Sequence, residues 1–352
     1  MVIVSASDSQ AFIERALVAH SVRPEDALTT AELMTQADLQ GADGHGIFRL
    51  PQYIARIRAG GINVEAKIHV QTDHGATALV NGDNALGHLV ARKAALLAIE
   101  KAGHFGLGWV GTRMSNHAGP ASLYARMISD AGLIGIYIAV GSANHMAPWG
   151  GTDLLLSTNP IAIAVPNPPS PPVLLDMATT VAAYGKVKLK AQAGEQMPVG
   201  WMIDKRGAPL TDPQRAKEGL LLPIGEHKGY GLSLLIGILA GTLNGAAMGS
   251  QVVDFNNDQA SITNTGQSAL AIDPAAFGPV ENFRDQLNVL LEEIRSSQRL
   301  PGVSQIRIPG EGSAQMALER RSKGIPLQES LLKQLNTLAK TCNIDPIIKN
   351  PI

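Results

Sequence analysis

A histidine set between two glycines, four residues before an arginine and eight before a tyrosine, is an arrangement able to move a proton and hold an acid. The run reads Asp43-Gly44-His45-Gly46-Ile47-Phe48-Arg49-Leu50-Pro51-Gln52-Tyr53. The glycines free the backbone to turn and leave the ring of His45 accessible. Arg49 and Tyr53, four apart, share one face if the segment is helical. A guanidinium grips a carboxylate through two parallel hydrogen bonds, and an imidazole exchanges a hydroxyl proton near neutral pH. An enzyme acting on 2-hydroxy or 2-oxo acids needs these parts. The same spacing also describes a capped loop carrying a surface arginine and tyrosine, and spacing alone does not separate the two.

Ser115-Asn116-His117-Ala118-Gly119 follows an expected strand and opens an expected helix. Free amides at a helix N-terminus suit a phosphate or pyrophosphate. His117 there can be a base, a cofactor contact or a cap-region histidine. Ala147-Pro148-Trp149-Gly150-Gly151 and Ser157-Thr158-Asn159-Pro160 form two irregular loops. Thr158 and Asn159 offer donors and acceptors to a small polar ligand, although turn chemistry also accounts for them. Asp176-Met177-Ala178-Thr179-Thr180, with Gly185-Lys186, and Glu226-His227-Lys228-Gly229-Tyr230-Gly231 each place polar residues before an apolar helix. Lys228 there calls for an anionic partner: a cofactor phosphate, Asp176 or Glu226. Pro309-Gly310-Glu311-Gly312-Ser313 is a turn into a helix, either a cofactor contact or an ordinary capped start.

Gly106-Leu107-Gly108-Trp109-Val110-Gly111 matches G-x-G-x-x-G. A dinucleotide fingerprint needs a strand before it and a helix after it. Here a helix precedes and a strand follows, so the glycines read as a turn and close packing. No Walker loop, zinc-ligand spacing or nucleophile elbow is present.

These groups must be positioned by the elements between them. Helices are expected over 8–20, with Ser7, Asp8 or Ser9 as cap, over 25–41 with Pro24 in its first turn, and from Ile47 or Pro51 to Ala59. Strands are expected over 67–72 and 77–81, then a helix over 87–102. The middle alternates strands (107–114, 133–140, 161–165, 173–177) with helices (121–131, 179–191, 230–243). Helices return over 280–298, 313–323 and 327–341. Domain boundaries fall near 65–75 and 275–280. The segment 166–172, PNPPSPP, forms a rigid surface connection. Residues 229–249 carry no charge, but their six glycines with Ser233, Thr242 and Asn244 predict a buried helix near a ligand rather than a membrane span.

The totals agree with a globular α/β or α+β chain. Of 352 residues, 45% are hydrophobic and 17% charged, ample for a buried core in one large domain or in two or three. The 29 basic and 30 acidic residues leave a net charge of -1, which argues against a polyanion-binding surface and hence against a nucleic-acid partner. Cys342 stands alone, excluding an internal disulfide and a thiolate metal site and fitting a reducing compartment. The opening MVIVSASDSQ is no signal peptide. A cytoplasmic protein without membrane contact and without bound metal is expected.

Taken together, H-G-I-F-R-L-P-Q-Y, S-N-H-x-G, A-P-W-G-G with T-N-P, D-M-A-T and H-K-G-Y-G-L, in this order between about Gln10 and Pro326, resemble the type-2 malate/L-lactate dehydrogenase family, which is distinct from the Rossmann-fold lactate and malate dehydrogenases. The resemblance implies a mixed α+β fold: a non-Rossmann, mostly antiparallel-sheet nicotinamide-binding domain (71–279) and a helical domain built from both chain ends (1–70 with 280–352). It implies a homodimer and an NAD(P)-dependent enzyme interconverting a small 2-hydroxy acid and its 2-oxo acid. By similarity His45 is the acid/base, Arg49 the carboxylate anchor with Tyr53, and Thr158 a substrate contact. His117 stands where some members place the proton acceptor and others a cofactor contact. His117, Ala118, Gly119, Pro120 and Ala121, then Asp176, Met177 and Ala178, then His227 and Lys228, and the turn Gly310, Glu311, Gly312 would line the cofactor. The family's reductases of cyclic imino acids carry a serine where this chain has Gly44 and an acid where it has Lys186, so the chain falls on the hydroxy-acid side. Ala118 replaces a usual aromatic residue; with Gly44 it also admits a nucleotide binder that has lost activity. Glu226, where glycine is common, favours NAD over NADP.

Overall fold

The computed structural model describes residues 1–347. Its order is β1 (Val2–Val4), α1 (Ala6–Val18), α2 (Pro24–Leu39), a 3-10 turn (Ile47–Arg49), α3 (Leu50–Arg58), β2 (His69–His74), β3 (Thr77–Asn81), α4 (Gly87–Phe105), β4 (Leu107–Ser115), α5 (Ser122–Asp130), β5 (Ile134–Ala139), β6 (Ile161–Val165) and β7 (Val173–Met177). There follow α6 (Tyr184–Ala193), β8 (Met202–Asp204), β9 (Gly219–Leu221), α7 (His227–Ala240), β10 (Thr265–Ile272), α8 (Val280–Ser296), α9 (Glu311–Lys323), β11 (Ile325–Leu327) and α10 (Glu329–Cys342).

Seven strands form one sheet in the order β2-β3-β4-β10-β5-β6-β7. Every contact in it is antiparallel except β3 against β4. The fold is therefore mixed and is not a Rossmann sheet, whose strands run parallel. The run Gly106–Gly111 joins α4 to β4, helix first. Gly106 ends α4 at φ 75°, and a Cβ on Gly108 would stand 2.2 Å from the carbonyl oxygen of Ala98. The glycines serve the turn and the close helix–strand contact.

One sheet face is covered by α4 and α5. Their buried Ala91, Ala94, Ala95, Ala98, Tyr124 and Ile128 join Val110, Ala269 and Ala271 of the sheet in one core. On the other face Ile236 and Ala240 of α7 pack on Ile138 and Val140, beside Trp109 and Ile161. A second core gathers both chain ends: Phe12, Met34, Leu50 and Ile54 meet Leu332, Leu335 and Ala339. There β1 pairs antiparallel with β11.

Four expectations need correction. The cap of α1 is Ser5, whose Oγ accepts the Asp8 amide at 3.0 Å, not Ser7, Asp8 or Ser9. The helix expected over 179–191 begins only at Tyr184, because 179–181 run extended: Thr179 N bonds Thr158 O and Val181 N bonds Leu222 O. The uncharged helix is not buried within the chain. Gly229, Ser233, Ile236, Gly237 and Ala240 face inward, while Leu232, Leu235, Ile238 and Leu239 are exposed. Small residues let α7 lie close on the sheet, and its larger side chains are left outside. The central strand β10 and the hairpin β8–β9 have no counterpart among the sequence expectations. No helix among the described residues is long and apolar enough to cross a membrane.

Candidate active site

The His45 loop is held from beneath by Asp38 of α2. Its buried carboxylate accepts the Ile47 amide at 2.8 Å. A Cβ on Gly46 would stand 1.9 Å from Asp38 Oδ1, so only glycine admits this approach. Burial pushes the Asp38 carboxyl up to about 8, against the stabilising Ile47 bond. Arg49 closes the loop, its Nε donating to Gly44 O at 2.9 Å. Its Nη1 reaches Asn256 Oδ1 at 3.2 Å, and its guanidinium lies 5.6 Å from the ring centres of Phe48 and Phe255.

His117 leaves the end of β4 and enters the same space. Its ring stacks between His45, at 5.5 Å, and Phe255, at 5.1 Å. Its Nδ1 shares a 2.6 Å hydrogen bond with the Tyr53 hydroxyl. Beneath Tyr53, edge-on at 5.5 Å, lies the buried His88, both of whose ring nitrogens lack a partner. Burial, then the charge of Arg49, pushes His45 down to about 4. Burial first, then Arg49, His45 and His88, hold His117 well below its ordinary value. Both imidazoles are therefore neutral at pH 7 and able to accept a proton.

His45, Arg49, His117, Ala118, Gly119, Ala121 and Thr158 line one pocket. Tyr53 does not reach its wall; it is fully buried behind His117. Pro120, Met177 and Ala178 are also absent from the wall. Asp176 caps α5, accepting the Ser122 amide at 3.0 Å, so that helix end already holds a carboxylate where a pyrophosphate was expected. His227 lies edge-on to Trp149 at 6.3 Å. Lys228 is exposed at the start of α7. Gly310 packs on Leu174, Gly312 lies beyond the wall, and Glu311 is engaged within its own turn with Ile308 N, at 2.9 Å, and Arg295, at 2.8 Å.

The pocket also recruits residues that sequence reasoning passed over: Tyr137, His145, Tyr184, Phe255, Asn256 and Gln267. His145 and Tyr184 stack at 3.8 Å, nearly coplanar at 6°. The Asx-rich run Asp254-Phe255-Asn256-Asn257-Asp258 and the histidine two residues before Ala147 were the available signals.

A nicotinamide fits the residues present. The Tyr137 hydroxyl lines the pocket, buried and without a hydrogen-bond partner. Gly119 at φ 76° and Gly141, where a Cβ would meet Ser157 Oγ at 2.0 Å, leave bare backbone on the wall. No cluster of metal-binding side chains occurs among the described residues.

The family model described as malate/L-lactate dehydrogenase matches residues 4–336. The chain belongs to this family. It is 38% identical to the L-sulfolactate dehydrogenase of Methanothermobacter thermautotrophicus over 98% of this chain and 99% of that protein. It is 33% identical to the NAD(+) ureidoglycolate dehydrogenase of Escherichia coli, over 94% of each. The solved malate dehydrogenase of Pyrococcus horikoshii superposes with a TM-score of 0.90 at 35% identity, covering 98% of this chain and 97% of that one. As a member of the malate/L-lactate dehydrogenase family the chain has its mixed, mostly antiparallel sheet in common with such neighbours.

Proposed function

We propose that the protein is an NAD(P)-dependent dehydrogenase interconverting a small 2-hydroxy acid, of the malate or lactate kind, and its 2-oxo acid. One observation carries this reading: a guanidinium, Arg49, and two neutral imidazoles, His45 and His117, converge on one pocket wall. Bound nicotinamide supplies the hydride acceptor in oxidation and the hydride donor in reduction. Arg49 holds the substrate carboxylate and so fixes the carbinol carbon against the wall. His117 is the better anchored imidazole. Its Nδ1 is engaged by the Tyr53 hydroxyl, so Nε2 is the ring nitrogen left to meet the substrate hydroxyl. His45 stacks against it, and burial with the charge of Arg49 keeps His117 neutral.

The test is turnover of malate, lactate, sulfolactate, ureidoglycolate and pyrroline-2-carboxylate with each nucleotide, followed by nucleotide absorbance. Turnover of hydroxy acids is expected; nucleotide binding with no hydride transfer on any acid overturns the reading. In the same assay Arg49→Ala should raise the KM for every accepted acid by about 10- to 100-fold, the worth of a charge-assisted hydrogen bond. Unchanged KM values would remove Arg49 as the anchor.

Four further elements belong to this reading. We read 1–70 with 280–352 as one domain and 71–279 as the other; the core that joins α1–α3 to α10 supports the first, although Leu86 and Phe255 also enter it. The exposed Leu232, Leu235, Ile238 and Leu239 of α7 are the surface a second copy would cover in a homodimer, and a cytoplasmic enzyme suits the lone free Cys342. NAD is the preferred cofactor, because Glu226 sets a carboxylate beside Lys228 at the start of α7. A like charge about 4 Å from a 2'-phosphate costs about 1 kcal/mol in water, or about fivefold. Glu226→Gln should therefore raise kcat/KM with NADP relative to NAD by about that factor. An unchanged ratio would place the preference elsewhere.

A further inference from the structure

Arg49 and Lys188 converge on a single neutral atom. Lys188, on α6, donates to Asn256 Oδ1 at 2.9 Å, and Arg49 donates to the same oxygen at 3.2 Å. The two cations thus stand within two hydrogen-bond lengths of each other. The amide is turned this way by Asp254, whose Oδ1 accepts Asn256 N at 2.8 Å and Asn256 Nδ2 at 3.2 Å. Its other oxygen takes Asn257 Nδ2 at 2.6 Å, so both carboxylate oxygens are engaged. No carboxylate stands within 4.0 Å of Arg49 or Lys188 among the described residues.

Two like charges sharing one neutral oxygen in a partly buried place repel and lack full compensation. Burial and then the charge of Arg49 lower the Lys188 pKa, with Asp254 opposing. Flat rings fix both heads: Lys188 Nζ lies 5.7 Å from the Tyr184 centre, and Arg49 lies over Phe255. Tyr184 and Asn256 border both the pocket and an adjoining cavity of about 270 Å³ that Lys188 also lines. Arg49 lines the pocket and Lys188 the cavity, with Asn256 on the wall common to both.

We propose that the site is built for a 2-hydroxy acid bearing a second acid group, with Arg49 holding the carboxylate beside the carbinol and Lys188 holding the second group, a carboxylate or a sulfonate. This rests on the dehydrogenase reading above and narrows its substrate class. A dianion compensates both cations, whereas a monoanion such as lactate compensates one. Asn256 Oδ1, which receives both donors in the free site, yields them to the substrate.

The test is Lys188→Met in the full chain, which keeps the aliphatic stem, with Lys188→Arg beside it. The ratio of kcat/KM for malate over lactate should fall about 10- to 100-fold in Lys188→Met, the worth of a hydrogen bond to a charged group. The ratio for sulfolactate over lactate should fall likewise; a fall for only one of the two says which acid group Lys188 meets. Lys188→Arg should restore most of the ratio. An unchanged ratio overturns the proposal, because equal losses on malate and lactate mean that both cations share one carboxylate. Acid-induced shifts in Tm read binding without turnover. Greater stabilisation of the native chain by malate than by lactate, lost in Lys188→Met, supports the proposal even if no acid is oxidised; equal stabilisation overturns it. Failure of the dehydrogenase reading is thus seen separately, as absence of hydride transfer.

Discussion

His117→Asn should lower kcat for hydroxy-acid oxidation by about 100- to 10,000-fold, the usual contribution of a positioned proton acceptor. Asparagine keeps approximate size and polarity, so the KM for nucleotide should change far less. The reverse pattern, a raised nucleotide KM with kcat preserved, would reassign His117 to cofactor contact and pass the proton to His45. The pH profile supplies a second readout. Oxidation needs the neutral imidazole, and both histidines are held below the ordinary histidine value, His45 at about 4. As pH falls, kcat/KM should therefore hold through 6.5 and decline only toward the depressed values. An acid limb at 6.5 or above would contradict the burial that produces the shift. Tyr53→Phe removes the anchor of Nδ1 and should lower kcat while leaving the KM for acid little changed.

Arg56→Met is expected to be the most damaging change to stability. Arg56 is completely buried on α3, and its guanidinium donates to Ser261 O at 2.7 Å, to Gly61 O at 3.0 Å and to Asp258 O. It also lies 5.7 Å from the Phe255 ring centre. Methionine fills much of the volume but leaves these carbonyl oxygens without donors. The cost should be about 3–5 kcal/mol, read as a lower urea midpoint. Because the tethered loop carries Phe255 and Asn256, the surviving folded enzyme should also bind acid more weakly. A midpoint shift worth less than about 0.5 kcal/mol, typical of a surface position, would mean that water replaces the guanidinium.

The half of the site that was legible in sequence is the half made by near neighbours. His45 and Arg49 share one turn, and His117 stands at a strand-to-helix junction that hydrophobic patterning reveals. Thr158 was legible as a polar residue in a Gly/Pro-rich bracket. Lys188, Asn256 and His145 were not, because they lie far apart in the chain and meet only through tertiary packing. Their types also occur on any surface. Patterning likewise missed β10, which reads Thr-Gly-Gln-Ser-Ala-Leu-Ala-Ile. It is buried on both faces at the centre of the sheet, so it shows no alternation, and Gly, Gln, Ser and Ala are weak strand formers. The uncharged α7 misled for a related reason: an apolar helix does not declare whether its own chain or another covers it. Asp176 and Glu311, expected as cofactor contacts, each accept a backbone amide, since a carboxylate caps a helix as readily as it meets a ligand.

The His45 loop is gripped by the far end of the chain. Arg320 of α9 bonds the Asp38 carbonyl and the Asp43 carboxylate, and β1 finds its partner only in β11. A ribosome releases the first residues of the polypeptide long before the last. The sheet and its α4–α5 cover can assemble on the emerging chain, but the loop that bears the histidine and the arginine waits for residues 320–327. A polypeptide ending before residue 320 would thus hold the sheet and its helical cover beside an unfastened His45 loop.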